Sequence, residues 1–390
     1  MTEIITPASA AEVAAALRRA SDARQSIVIR GADTKSGWGR PASRVEAILD
    51  MRRMNRILAH EHGDMTATVE AGASLRDVNN ALALHGQTLP LDPPFADRAT
   101  IGGLLATNDS GPLRHRHGTP RDLVIGIQLA TTDGLLSKAG GQVVKNVAGY
   151  DLCKLVTGSF GSLAAIVSAT FKLAPLPAAS KTLRIGARDA AGLAEIVRTV
   201  MASQLEPIAF ETTTNGESRT TNVTVLLRFA SLPTVVDAQI GQARAALQPF
   251  AAAIDVLDGD AERALWDAHA TAIWDRPGAI VRASWLPANI VEGLGELDRI
   301  NGACTTSLQG RAAIGAGLIR IDGGAPAQAA VIEQLRASSL FGNIVIVRGS
   351  DALKSLVDVW GTHGTRQPLF DSLKRAFDPH GVLNAGRGPL

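Results

Sequence analysis

The sequence predicts an α+β protein of two domains, and three observations predict it. In the first half, short β-branched runs break into Gly-rich polar loops, as where Ile27–Arg30 runs into Gly31-Ala32-Asp33-Thr34-Lys35-Ser36-Gly37. From 180 to 350, strand-like and helix-like runs alternate with short links, the pattern of a mainly antiparallel sheet flanked by helices. Hydrophobic residues make up 46% of a 390-residue chain, enough for more than one full core.

The elements follow in order. Residues 8–20 are helical, with Ser9 as N-cap and Glu12 at capping-box distance. Residues 51–58 read as a basic helix-like stretch. Residues 64–72 form a strand, and Ser74 caps a helix reaching His85. Strands follow at 122–131 and 161–173, and Ala174-Pro175-Leu176-Pro177 then breaks the chain, which puts the first domain at 1–178. In 179–350, strands are expected at 183–187, 208–213, 223–229, 279–285, 312–321 and 343–348, and helices at 235–250, 289–300 and 327–340. Residues 351–390 read as helices and a final turn.

Composition excludes several classes. A net charge of +2 gives no broad nucleic-acid footprint. No apolar run reaches the ~18–20 residues of a membrane span, and the N-terminus carries no charged-then-apolar leader, so a cytoplasmic protein is expected. Cys153 and Cys304 are read as free thiols, and two cysteines fall short of the four that an iron–sulfur cluster normally takes.

The most informative stretch is Ala99-Thr100-Ile101-Gly102-Gly103-Leu104-Leu105-Ala106-Thr107-Asn108-Asp109-Ser110-Gly111. Positions without side chains let a backbone approach a ligand, and a turn of exposed amides cradles phosphate oxygens. Three companions stand at ordered spacing. The first is the loop Arg30–Gly39. The second is Gly140-Gly141-Gln142-Val143-Val144-Lys145-Asn146-Val147-Ala148-Gly149-Tyr150-Asp151-Leu152, followed by Gly158-Ser159-Phe160-Gly161. The third is Phe377-Asp378-Pro379, Gly381, Leu383-Asn384 and Gly386-Arg387.

This set closely resembles the FAD-binding family typified by vanillyl-alcohol oxidase, the PCMH-type flavoproteins, over residues 1–178 and the last thirty. Within it, the Lys145–Leu155 block and the 31–39 loop are most similar to the FAD-binding subunits of bacterial glycolate oxidases. The resemblance implies a bilobal FAD domain and an α+β cap of mainly antiparallel sheet at 179–350, with 351–390 returning to the FAD domain. It implies that Arg30, Gly31, Ala32, Asp33, Thr34, Lys35 and Ser36 hold the pyrophosphate. Thr100, Gly102, Gly103, Ser110 and Gly111 line the rest of the flavin-adenine chain. Gly158, Ser159 and Gly161, with Ile166 and Val167, flank the rings. Some relatives tether the flavin through a His in the first loop; this loop has none, so a non-covalent, dissociable FAD is expected.

The resemblance also implies partners. Catalytic 2-hydroxy-acid dehydrogenases of the superfamily carry G-H-x-G-D-G-N-x-H in the cap, whereas residues 180–350 hold only His269. Abstracting hydride from an α-carbon needs a base at the hydroxyl and a cation on the carboxylate. The expected function is therefore an FAD-carrying subunit of a complex that oxidises glycolate to glyoxylate, with a catalytic flavoprotein subunit and an iron–sulfur subunit, any membrane contact being made through those partners. Two alternatives stand: a self-sufficient FAD-dependent 2-hydroxy-acid dehydrogenase of D-lactate type, and a scaffold that keeps the fold without catalysis. No catalytic residue is assigned.

Other motifs take plainer readings. Lys145-Asn146 sit near the flavin or on a partner surface, or else at a solvated hairpin tip. Tyr150, the single Tyr, is either a buried anchor or a cofactor neighbour. His115-Arg116-His117 and His60-Glu61-His62 read as structural or surface histidines, and no metal is expected. Trp266 and Trp274 are core or interface residues. Gly315-Ala316-Gly317 is a tightly packed strand, not a nicotinamide fingerprint, and no Walker motif, nucleophile elbow or H-E-x-x-H occurs.

Overall fold

A computed structural model describes residues 2–142, 150–214, 223–300, 304–362 and 364–389. The chain divides into two compact units. The first comprises Met1–Gly111, His117–Leu176 and Thr362–Leu390; the second comprises Pro112–Arg116 and Pro177–Gly361. Lys145 and Asn146 lie outside the described residues.

The first unit has two lobes. One is a parallel sheet of β1 (Glu3–Ile5), β2 (Ile27–Arg30) and β3 (Ala47–Asp50) in the order β1-β3-β2. Parallel neighbours need a crossover. Helix α1 (Ala10–Asp22) carries the chain from β1 past β3 to β2, whereas residues 31–46 join the neighbours β2 and β3 without a helix. Ser9 caps α1 by accepting from the Glu12 amide, and Glu12 accepts in turn from the Ala8 amide. Val13, Leu17, Ile27 and Leu49 form the core of this lobe.

The second lobe is an antiparallel sheet of β4 (Ile57–Glu61), β5 (Thr66–Glu70), β7 (Val124–Ala130), β8 (Leu136–Gly140) and β9 (Ala165–Lys172), in the order β4-β5-β9-β7-β8. A two-residue strand, β6 (Gln87–Thr88), pairs with β10 (Ala174–Pro175). Helices α2 (Leu75–Ala83, capped by Ser74), α3 (Ile101–Thr107) and α6 (Leu152–Val156) pack on it around Leu82, Ile101, Leu105, Val156 and Phe171. Single turns α4 (Arg114–His117) and α5 (Pro120–Leu123) precede β7.

Several expectations change here. Residues 51–58 are a single 3-10 turn, Met51–Arg53, and the start of β4. The 99–111 segment, read as a turn of exposed amides, is largely helix α3. Tyr150 anchors nothing: it is 92% exposed.

The second unit is one eight-stranded antiparallel sheet. Its strands are β11 (Ala179–Ala187), β12 (Ala209–Thr214), β13 (Val223–Ser231), β14 (Ala251–Asp258), β15 (Ala279–Ser284), β16 (Thr305–Arg311), β17 (Ala316–Asp322) and β18 (Gly342–Arg348), ordered β14-β11-β13-β12-β16-β17-β15-β18. Helices α7 (Ala190–Ala202), α8 (Pro233–Leu247), α10 (Ile290–Arg299) and α11 (Ala325–Ala337) bury their apolar residues with Leu183, Ile185, Phe210, Leu227 and Leu308 of the sheet. Strand alternation sends Ser180, Thr182, Glu211, Gln309 and Arg311 to the opposite face, where α9 (Gly259–Ala272) meets them through Glu262, Trp266 and His269. Trp285 fills the space over the β16–β17 hairpin, where a side chain at Gly310 or Gly317 would collide with its ring, so Gly315-Ala316-Gly317 serves packing. Residues 351–361, expected in the returning tail, pack in this unit through α12 (Asp351–Leu356). The chain re-enters the first unit at 362 and ends with α13 (Gln367–Phe377) and a final turn.

Candidate functional site

The first unit encloses a cavity of about 350 Å³. One wall is the β2–β3 connection, Arg30, Gly31, Ala32, Asp33, Thr34, Lys35 and Ser36. The facing wall is Thr100, Gly102, Gly103 and Ala106 of α3. Val28, Ile48, Met51, Ala164 and Ile166 make the apolar lining, and Gly161, Asn384 and Arg387 complete it. All these residues lie within one compact unit.

The walls come close because of two glycines. A Cβ at Gly31 would overlap the Thr100 hydroxyl, and one at Gly102 would press on Ala71 at 2.9 Å. Gly102 is thus a packing glycine; its amide donates to Ala71 O at 2.8 Å, and Ile101 likewise donates to Ala73 O. These two bonds fix the start of α3 against the exit of β5. Gly103 is different: a Cβ there would meet only the Thr100 hydroxyl, at 3.2 Å. The 31–36 loop belongs to no strand or helix, so no ladder consumes its amides.

Charge converges on that loop. Lys35 is 8% exposed and Asp109 4%, and the ammonium lies 3.2 Å from Asp109 Oδ2. No described residue hydrogen-bonds Lys35 Nζ in good geometry, so a buried three-donor cation retains capacity for an anion. Arg30 donates to Asp50 at 3.0 Å, and Arg52 grips the same carboxylate; these guanidinium contacts hold the Asp50 carboxyl down at about 2. Arg387 reaches the loop from the last residues. Its Nη2 donates to Lys35 O at 2.8 Å and Ser36 O at 2.6 Å, and burial lowers its pKa.

The tail is locked down by two further side chains. Asn384 accepts from the Ile29 amide and donates to Phe160 O, tying β2 to the 160–161 turn. Asp378, 2% exposed, accepts from the Val382 and Leu383 amides and from Lys374, whose ammonium also donates to Ser162 O. Neither Asn384 nor Arg387 was singled out as a binding residue from sequence, although both stand in the third motif.

Twelve sequence-identified positions thus meet around one cavity: Arg30 to Ser36, Thr100, Gly102, Gly103, Gly161 and Ile166. Five do not line it. Gly111 is held where a Cβ would overlap Asp92 O, and Ser110 precedes it. Gly158 and Ser159 turn the chain beside α3, the Gly158 amide donating to Leu105 O. Val167 points into the α1 lobe core.

The second unit holds a polar cluster that sequence reasoning missed. Glu211, fully buried on β12, lies 3.3 Å from His269 Nε2 and 3.4 Å from Arg311 Nε. His115 stands edge-on to Phe210, its Nδ1 buried with no hydrogen-bond partner among the described residues, and burial lowers its pKa. Two imidazoles, a carboxylate and a guanidinium are therefore gathered from four separate segments.

The cavity's features fit a dinucleotide anion with an apolar ring: a close-walled slot that a Cβ would fill, a buried ammonium with spare donors, and an aliphatic end. Comparison with known proteins agrees. Residues 2–140 match the FAD binding domain family. The chain is 36% identical over 183 residues to glycolate oxidase subunit GlcE of Escherichia coli, covering 47% of this chain and 51% of that one. It is 33% identical over 208 residues to glycolate oxidase subunit GlcD of Bacillus subtilis, covering 53% and 44%. The chain therefore spans about half the length of the curated relatives it matches. A solved alkyldihydroxyacetonephosphate synthase superposes with a TM-score of 0.68 at 16% identity, covering 98% of this chain and 75% of that one, which shows the shared fold. Residues 2–140 match an FAD-binding domain of the PCMH-type superfamily.

Proposed function

We propose that this protein is the FAD-carrying subunit of a glycolate-oxidase-type complex that oxidises a small 2-hydroxy acid. The observation that carries the reading is the first unit's cavity, in a chain similar to two glycolate oxidase subunits. Bound there, FAD would supply the two-electron acceptor chemistry. Lys35 would pair with the pyrophosphate, the 31–36 amides would donate to its oxygens, and Arg387 would hold that loop in shape through its carbonyls. Gly31 and Gly103 would admit the chain between the walls, and Ala164 and Ile166 would exclude water from the ring. Among the described residues no His, Cys or Tyr lines the cavity, which supports a non-covalent cofactor. Trichloroacetic acid is expected to release all the flavin; colour in the pellet would overturn that.

A catalytic flavoprotein and an iron–sulfur protein would complete the complex, because the second unit lacks the G-H-x-G-D-G-N-x-H segment. An anaerobic spectrum tests this. The chain alone is expected to keep its oxidised flavin absorbance with glycolate or D-lactate, and to bleach only with its partners present. A second reading is the self-sufficient dehydrogenase, which unaided bleaching of the flavin by glycolate or D-lactate would establish.

A further inference from the structure

The fold adds a third histidine to the pair at 60 and 62. His60 is the penultimate residue of β4 on the edge of the five-stranded sheet, and His62 stands in the β4–β5 turn. His85 follows α2, in a turn fixed by its own amide bonding to Leu82 O. One ligand nitrogen from each lies within 4.8 Å of the other two. The rings of His62 and His85 stack at 3.7 Å, and His60 stands edge-on to both, at 4.2 and 5.3 Å.

Gln87 orients the set. Its Nε2 donates to His62 O at 2.8 Å, so its Oε1 is the atom that faces His60 Nε2, also at 2.8 Å. A carbonyl oxygen only accepts, so His60 Nε2 carries the proton and Nδ1 keeps its lone pair. Metal-ligating histidines typically use this arrangement, one nitrogen donating to a fixed acceptor and the other free to bind.

We propose that His60, His62 and His85 form a binding site for a zinc-class divalent ion, with a water as fourth ligand, that pins the β4–β5 turn to the end of α2. Imidazole suits zinc, copper, nickel and cobalt rather than magnesium or calcium. A tetrahedral zinc at ~2.0–2.1 Å from each nitrogen spaces its ligands roughly 3.3 Å apart. His62 and His85 are exposed and can close that gap by side-chain rotation alone. The site is separate from the cavity. Thr66 pairs with Glu61 at the histidine end of β5, and Ala71, beyond its other end, lines the cavity; five residues of strand span about 16 Å.

Untagged, full-length, FAD-loaded protein tests the proposal. Equilibrium dialysis against zinc is expected to show one bound ion per chain that magnesium does not displace. Cobalt should give the visible absorption of a tetrahedral site. Zinc should raise Tm in a concentration-dependent way, as any ligand of the native state does. His85→Ala, at an exposed position, is expected to weaken zinc binding at least 100-fold while flavin content stays at the wild-type level. His62→Gln, the milder change, should weaken it about tenfold. Zinc affinity unchanged in both variants, or no stoichiometric binding by the wild-type chain, would overturn the site.

Discussion

The two units build their polar sites in opposite ways. In the first, the site is made largely of backbone and small residues around a few charged side chains, drawn mainly from two contiguous segments, 30–36 and 99–107. In the second, it is made of long charged side chains, Glu211, His269 and Arg311, each on a different element and set in a fully buried layer between the sheet and α9. The first is organised to admit a ligand's charge. The second already neutralises its own, so each of its members depends on the others.

The sharpest way to break this contrast is to remove one charge from the second unit. Glu211→Leu would take the carboxylate away from the buried Arg311 guanidinium and remove the acceptor that faces the His269 ring. Removing one partner of a buried pair costs about 3–5 kcal/mol. Hydrogen exchange should quicken across β12 and β16, while β2, α3 and the flavin content stay as they were. Equal quickening in both units would show that the two sites are not energetically independent.

Next comes the first unit's cleft. Gly31→Val would place a branched side chain on the Thr100 hydroxyl, and overpacking of this kind costs about 1–3 kcal/mol. FAD affinity should fall roughly 10- to 100-fold, read from the flavin absorbance retained after dialysis, with the second unit's exchange unchanged. Thr100→Ala in the same chain should restore part of the loss, because it removes the colliding atom.

The same contrast explains what could be read without coordinates. The glycines and the loop of the first site were legible because their meaning is local: a β-branched run that stops at Gly31 is a strand ending in an open loop. Helix α3 was not, since Gly102-Gly103 argues against a helix by propensity. Tertiary bonds from Ile101 and Gly102 to the β5 exit decide the matter. Strands β14 and β16 were missed because Ala251-Ala252-Ala253 and Thr305-Thr306-Ser307 carry little alternation. The Glu211 cluster had no local signal at all; His269 is 58 residues from Glu211, and only the sheet order brings them together.

Acid titration separates the units further. Asp50 sits at about 2 in the folded chain because of Arg52 and Arg30, against roughly 3.9 when unfolded. A depressed carboxyl stabilises the native state above its unfolded value, and that contribution fades as pH falls from about 4 through 2. Screening at the exposed Arg52 limits it to about 1–2 kcal/mol. Asp50→Asn should therefore lower Tm at neutral pH and flatten its decline between pH 4 and 2, as differential scanning calorimetry would read it. An unchanged acid limb would mean that Arg30 is placed by the loop and not by Asp50.

The smallest effect tests whether Arg387 acts through its shape or its charge. Its planar fork reaches three carbonyls of the loop, Nη2 donating to Lys35 O and Ser36 O and Nε to Trp38 O. Lysine keeps the charge but replaces the fork with a single point donor, so the loop loses orientation while the potential over the cavity is maintained. Arg387→Lys should weaken FAD by roughly fivefold, about 1 kcal/mol, with no change in the salt dependence of binding. A loss of salt dependence together with affinity would place Arg387 in direct contact with the pyrophosphate. An unaltered affinity would leave Lys35 and the loop amides as sufficient by themselves.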